Sequence, residues 1–173
     1  KESFTRFMFN PDDPGGLDSN CTFAIVEDES GVIWIGTYDK GLNKFDRKKN
    51  KIIRVRPREN GADDMELKGI NSICTARSGL LWIGTRDRGL IIFDPEKEVL
   101  TGRFSSEPGN PQSLSSNEIS CVFQDSLGFI WAGTYNFGLN RLDPKTGQCT
   151  HFSYDPANPY SLSNDSVYCA IER

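Results

Sequence analysis

The sequence predicts an all-β fold, a β-propeller fragment of about three complete four-stranded blades plus the inner and outer strands of a fourth. Three observations lead there. First, a Trp-x-Gly-Thr segment occurs three times: Trp34-Ile35-Gly36-Thr37, Trp82-Ile83-Gly84-Thr85 and Trp131-Ala132-Gly133-Thr134. The tryptophans stand 48 and 49 residues apart, and the same offsets link Gly31, Gly79 and Gly128; Gly41, Gly89 and Gly138; and Asp46, Asp94 and Asp143. A repeat of this length is the mark of a modular architecture. Second, each unit divides into four short strands separated by turn residues. Third, no apolar period of 3.6 residues persists long enough for a helix.

The first strand of each unit is Phe23-Ala24-Ile25-Val26, Asn71-Ser72-Ile73-Cys74 or Ser120-Cys121-Val122-Phe123. A turn follows, Asp28-Glu29-Ser30-Gly31 or Asp125-Ser126-Leu127-Gly128, whose final Gly supplies a positive φ. The second strand, Val32-Ile33-Trp34-Ile35 and its copies, is apolar on both faces, as in a sheet covered from both sides. The third runs Leu42-Asn43-Lys44-Phe45, Leu90-Ile91-Ile92-Phe93 and Leu139-Asn140-Arg141-Leu142. Leu42 and Phe45 fall on opposite faces of one strand, and both are apolar. The fourth strand is more polar, as at Ile52-Ile53-Arg54-Val55. Blades packed face to face around an axis satisfy all of this. Trp34, Gly36, Trp82, Gly84, Trp131 and Gly133 are the structural anchors of the repeat, and the tryptophans are expected in the core.

The expected segmentation is 1–10 as the outer strand of a partial blade, 17–56, 67–105 and 114–154 as blades, and 162–173 as the inner strand of a further blade. Phe7 aligns with Val55, Phe104 and Phe152, and Val167-Tyr168-Cys169-Ala170-Ile171 aligns with the first strands. Three and a half blades do not close a ring, so a longer parent chain is expected. An unpaired inner strand predicts self-association of the fragment.

Composition narrows the function classes. Net charge is −4 over 173 residues with no basic stripe, which argues against nucleic acid. No apolar run is long enough to span a bilayer, so no direct membrane contact is expected. One histidine and no Cys-x-x-Cys spacing leave no basis for a zinc site, and no cofactor is expected. Five cysteines is an odd number. Cys74, Cys121 and Cys169 fall in first strands and read as small buried hydrophobes. Arg6, Arg54, Arg103 and His151 share one position of the outer strand and read as edge protection against strand addition.

The motif Asp-x-x-Gly-x-Ile-Trp-Ile-Gly-Thr, then Gly-Leu and Phe-Asp, stands here as Asp28 to Thr37, Gly41-Leu42 and Phe45-Asp46. It resembles the two-component regulator propeller repeat. The third copy, Asp125 to Thr134, conforms; the second departs, with Ala76-Arg77 in place of the acidic residue. The linkers Asn110 to Asn117 and Asn158 to Asn164 are similar to that family too. The resemblance implies a segment of the periplasmic sensor region of a hybrid histidine kinase, in which propellers sense oligosaccharides and signal across the membrane to kinase and regulator domains that this chain lacks.

Propeller geometry puts the loops between second and third strands on one rim with the inter-blade linkers. The rim loops Tyr38-Asp39-Lys40, Arg86-Asp87-Arg88 and Tyr135-Asn136-Phe137 differ while their flanking strands repeat. Tyr38, Asp39, Arg86, Asp87, Tyr135 and Asn136 are therefore the candidate ligand-binding residues. Aromatic faces beside amide, carboxylate and guanidinium groups suit a sugar. The alternatives are a glycoside hydrolase or lyase, which would need a suitably spaced carboxylate pair such as Asp39 and Asp87, or a scaffold that mediates receptor dimerisation only. The partners expected are an oligosaccharide or other small ligand and the remaining blades of the parent propeller.

Overall fold

A computed structural model describes residues 4–13, 15–58 and 67–172. Among them every regular element is a strand. The first blade comprises β1 (Thr22–Glu27), β2 (Ile33–Thr37), β3 (Leu42–Asp46) and β4 (Lys51–Val55). The second comprises β5 (Ile70–Thr75), β6 (Leu81–Thr85), β7 (Leu90–Asp94) and β8 (Val99–Phe104). The third comprises β9 (Ile119–Gln124), β10 (Ile130–Thr134), β11 (Leu139–Leu142) and β12 (Cys149–Phe152). Each blade is a separate antiparallel meander with its strands in sequence order. The innermost strands β1, β5 and β9 touch one another in succession, so the blades fan out from a common axis.

The two-sided apolar pattern has its explanation in three core clusters. Trp34 and Leu42 of the first blade pack with Ile70, Leu81, Ile83 and Phe93 of the second. Trp82 and Leu90 of the second pack with Ile119, Val122, Ile130 and Leu142 of the third. Ile35 and Ile52 form a third cluster with Phe7 and Phe45 on the opposite face of the first blade. Leu42 and Phe45 thus serve different interfaces, as the alternation requires. Each fully buried Leu, Ile or Phe contributes about 1.5–3 kcal/mol, so the fan is held mainly between blades.

The glycine of the Trp-x-Gly-Thr segment is needed because the next blade comes too close for a side chain. A Cβ on Gly84 would stand 2.7 Å from Cγ2 of Ile119, and one on Gly36 would collide with Cγ2 of Ile70. The turn glycines Gly31, Gly79 and Gly128 have φ of 82, 80 and 91°, as anticipated. Asp46 and Asp94 accept backbone hydrogen bonds from Lys48 and Lys49, and from Glu96 and Lys97, all at 3.0 Å, so they are turn formers.

Asp28 and Asp125 do more than shape a turn. Asp28 accepts from the backbone of Ser30 and Val32, and its second oxygen accepts from the indole of Trp34 at 2.7 Å. Asp125 repeats this with Leu127, Phe129 and Trp131. Burial pushes both carboxyls up, but these hydrogen bonds outweigh it and hold them below the usual carboxylate range. In the second blade Ala76 replaces the acceptor, and Trp82 stacks on Phe104 at 5.7 Å.

Four expectations need correction. Residues 4–10 and 167–171 form no ladder, because among the described residues no strand runs alongside to pair with them; residues 1–3 and 173 lie outside the described residues. Phe7 still packs edge-on against Phe45 at 5.2 Å. Val167 still takes the place that Ile70 and Ile119 occupy, 2.9 Å from a Cβ on Gly133. Trp131 is only half-buried, on a face that no strand among the described residues covers, and lines a cleft of about 430 Å³ with Phe152, His151 and Tyr160. The buried thiol is Cys149, whose pKa burial pushes up to about 11, whereas Cys169 is exposed. Finally, Arg54 and His151 fasten linkers instead of guarding an edge. Arg54 donates to the carbonyls of Asn10, Asp13, Gly16 and Leu17 at 3.1–3.3 Å. His151 Nε2 donates to Ser113 O at 2.7 Å.

Candidate ligand-binding site at the channel mouth

The rim follows from the backbone. In the first two blades the first residue of the loop after the second strand is hydrogen-bonded just ahead of its own inner strand: Tyr38 N donates to Cys21 O at 2.9 Å and Arg86 N to Gly69 O at 2.8 Å. The threonine of the motif closes the loop from inside. Thr85 Oγ1 donates to Gly89 O at 2.9 Å, and Thr134 Oγ1 donates to Gly138 O at 2.8 Å. These loops therefore stand at the axial end of the blades, beside the inner strands.

Three of the six candidate side chains come together there. The Arg86 guanidinium lies 5.0 Å from the Tyr38 ring centroid and hydrogen-bonds to the Tyr38 hydroxyl. Tyr135, one blade further on, is within electrostatic reach of both. Tyr38 and Tyr135 thus flank Arg86 along the inner rim of the fan. Burial, then the nearby Glu118, Tyr168 and Tyr38, push the Tyr135 hydroxyl above the usual tyrosine range, with Arg86 opposing. At neutral pH Tyr135 is thus a hydrogen-bond donor. Asp39, Asp87 and Asn136 sit at exposed loop tips and take no part in the cluster. The linker residues Asn20 and Asn117 are spoken for: their side-chain oxygens accept from Phe9 N and Ser106 N at 2.7 Å.

Two aromatic residues complete the cluster and were not anticipated. Phe23 stacks on Tyr38 with centroids 5.0 Å apart and planes at 28°. Tyr168 meets Tyr135 edge-on at 5.7 Å. Phe23 is the extra residue of a β-bulge, since Thr22 pairs with Thr37 and Ala24 with Gly36. Asn71 and Ser120 are the extra residues of the same bulge in the second and third blades. A bulge re-aims its side chain. Asn71 Nδ2 donates across to Ile119 O at 2.8 Å, and Ser120 Oγ donates to Val167 O, so each ties its blade to the next inner strand. Phe23, at the same register position, carries no such tie; its ring and that of the aligned Tyr168 are 52 and 70% exposed. The signal was legible: the repeat alignment puts Phe, Asn, Ser and Tyr at this one position.

The family model described as two component regulator propeller matches residues 16–39 and 113–136. The unmatched middle copy is the one with Ala76. No curated protein sequence matches the chain. Among solved structures, the extracellular domain assigned to the hybrid two component system BT3049 of B. thetaiotaomicron superposes with a TM-score of 0.70 at 25% identity, over 88% of this chain and 20% of that one. That of BT4673 of the same organism, assigned to a one component system in one structure and to a hybrid two component system in another, gives a TM-score of 0.69 at 23% identity in the first, over 92% of this chain and 20% of that one. An auxiliary nutrient binding protein from Bacteroides thetaiotaomicron shares the fold at a TM-score of 0.57 and 13% identity, over 83% and 31% of the two chains. The chain thus spans about a fifth of the first two domains it resembles. With the repeat, the blades and these likenesses together, the chain is a β-propeller segment, two stretches of which match the two-component regulator propeller model.

Proposed function

We propose that this segment belongs to the extracytoplasmic, periplasmic sensor region of a two-component signalling protein and contributes to recognition of an oligosaccharide. The observation that carries the reading is the cluster of Tyr38, Arg86 and Tyr135 around the channel mouth. It offers apolar ring faces, a guanidinium and a protonated phenol, the groups that bind a sugar's two kinds of surface. The similarity to the extracellular domain of a hybrid two component system supports the location and the signalling context. The segment binds without chemistry of its own; kinase activity belongs to domains outside it. Asp39 and Asp87 argue against a hydrolase, being exposed loop tips outside the cluster. The test is calorimetric titration of an oligosaccharide panel into the protein and into a Tyr38→Ala, Arg86→Ala, Tyr135→Ala triple variant. Binding abolished by the triple variant, with its unfolding midpoint kept, supports the reading. Binding untouched by the three changes, or no sugar bound at all, overturns it.

A further inference from the structure

We infer that the sugar held at the channel mouth is anionic, its charge carried by a carboxylate or a sulfate ester, and that Arg86 receives it between two aromatic walls made by Phe23 with Tyr38 and by Tyr135 with Tyr168. The inference rests on the sugar-binding reading and gives it a ligand class. Arg86 stands in the middle loop, and that loop alone of the three carries no aromatic residue. Its guanidinium lies over the Tyr38 ring, which in turn stacks on Phe23. One Nη1 hydrogen bond goes to the Tyr38 hydroxyl. The other N–H groups have no partner among the described residues, and no carboxylate forms an ion pair with Arg86. Other basic side chains near carboxylates do pair: Lys44 with Glu98, Arg47 with Glu27 at 2.9 Å and Lys97 with Asp94 at 2.9 Å.

A guanidinium fixed on a ring, with an edge left over, is a preformed fork for a bidentate oxyanion. Fixing it beforehand removes part of the ordering cost of binding. The Tyr135 hydroxyl, kept protonated, adds a donor from the other wall. Glu118, also within reach of Tyr135, discourages an anion on its own side and so directs the charged group toward Arg86. A neutral sugar would use the rings and leave the fork idle.

Four probes separate the possibilities: trigalacturonate, its methyl ester, a sulfated chondroitin disaccharide and the same disaccharide without sulfate. Methyl esterification removes charge without touching the protein, so the test survives any loss of folding in a variant. The expected result is that at least one charged probe binds more tightly than its neutral or less charged counterpart. Arg86→Gln should cost that probe roughly ten- to a hundred-fold in affinity, and Arg86→Lys should restore little, since lysine lacks the fork. Phe23→Ala should weaken charged and neutral probes alike. Preference for trigalacturonate identifies a carboxylate, and preference for the sulfated disaccharide identifies a sulfate. Equal affinity within both pairs, or charged-probe binding indifferent to Arg86→Gln, overturns the anionic inference and leaves sugar binding intact. Failure of all four probes, with neutral oligosaccharides still bound through Tyr38 and Tyr135, likewise overturns the anionic inference alone. Failure of every sugar overturns both readings.

Discussion

Replacing Gly84 by alanine tests whether close approach between blades, and not backbone conformation, demands glycine in the repeated motif. Gly84 lies in a regular strand, where φ is not positive, so alanine is conformationally acceptable and should by itself stabilise by about 0.4–1 kcal/mol through the unfolded chain. Against this stands the new methyl group, which meets Ile119 Cγ2 at 2.7 Å and Ile119 Cβ at 3.2 Å. Ile119 is fully buried and inside the core cluster shared by the second and third blades, so it cannot swing clear. Overpacking of this kind costs about 1–3 kcal/mol. The net expectation is a loss of roughly 1–2 kcal/mol, or about 2–8 °C in the unfolding midpoint for a chain of this size. Ile119→Leu moves the offending γ-methyl one bond outward and alone should cost less than about 1.5 kcal/mol. The double variant should then recover at least about 1 kcal/mol relative to the sum of the singles. Urea unfolding followed by tryptophan fluorescence reads all four corners of the cycle. Strict additivity, or a Gly84→Ala variant as stable as the parent, would refute the close-approach explanation.

Asp28 and Asp125 have folded-state pKa values below their unfolded values, so their contribution is complete above the usual carboxylate range and disappears as pH falls through the depressed folded values. Acid titration of stability should therefore show a loss beginning near about pH 4. An Asp28→Asn, Asp125→Asn double variant should be less stable at pH 7 and flatter below pH 4; an unchanged acid limb would contradict the assignment. Arg54→Ala releases four carbonyls of the linker ahead of the first blade. Limited proteolysis should then cut near residues 10–13 about ten times faster, corresponding to about 1.4 kcal/mol of lost local stability. Equal cleavage rates would return Arg54 to a simple edge charge.

The blades were legible because the physics that makes them is periodic. A strand apolar on both faces must be covered twice, and only copies of itself were available to cover it. Trp34 and Trp82 obeyed this and are buried at 2 and 4% exposure. Trp131 carries the same sequence signal but has no covering strand among the described residues, and exposure set by a neighbour is something no local pattern records. The indole bond to Asp28 was hidden for another reason: an Asp-x-Ser-Gly turn accounts for an aspartate completely, leaving nothing to suggest that its second oxygen serves a side chain six residues on. Arg54 and His151 looked like surface charges because their acceptors are carbonyls of a linker, and carbonyls have no sequence.

The candidate site was half legible, and the inner-strand bulge explains which half. Loop variation against strand constancy exposed Tyr38, Arg86 and Tyr135, since a rim loop has no structural duty that fixes its side chains. The bulge position does have such a duty, to bridge to the next inner strand, and Asn71 and Ser120 perform it with a donor of the right length. An aromatic residue cannot. Phe23 therefore forgoes a hydrogen bond to the next inner strand, a cost of about 0.5–1.5 kcal/mol, and leaves about half of its surface exposed. A residue that gives up cohesion to stand in solvent beside Tyr38 is better explained by what it meets at the rim than by what it does for the fold. On this reasoning the blades divide their labour at a single alignment column: a small polar residue there marks a joint, and an aromatic one marks a contact surface.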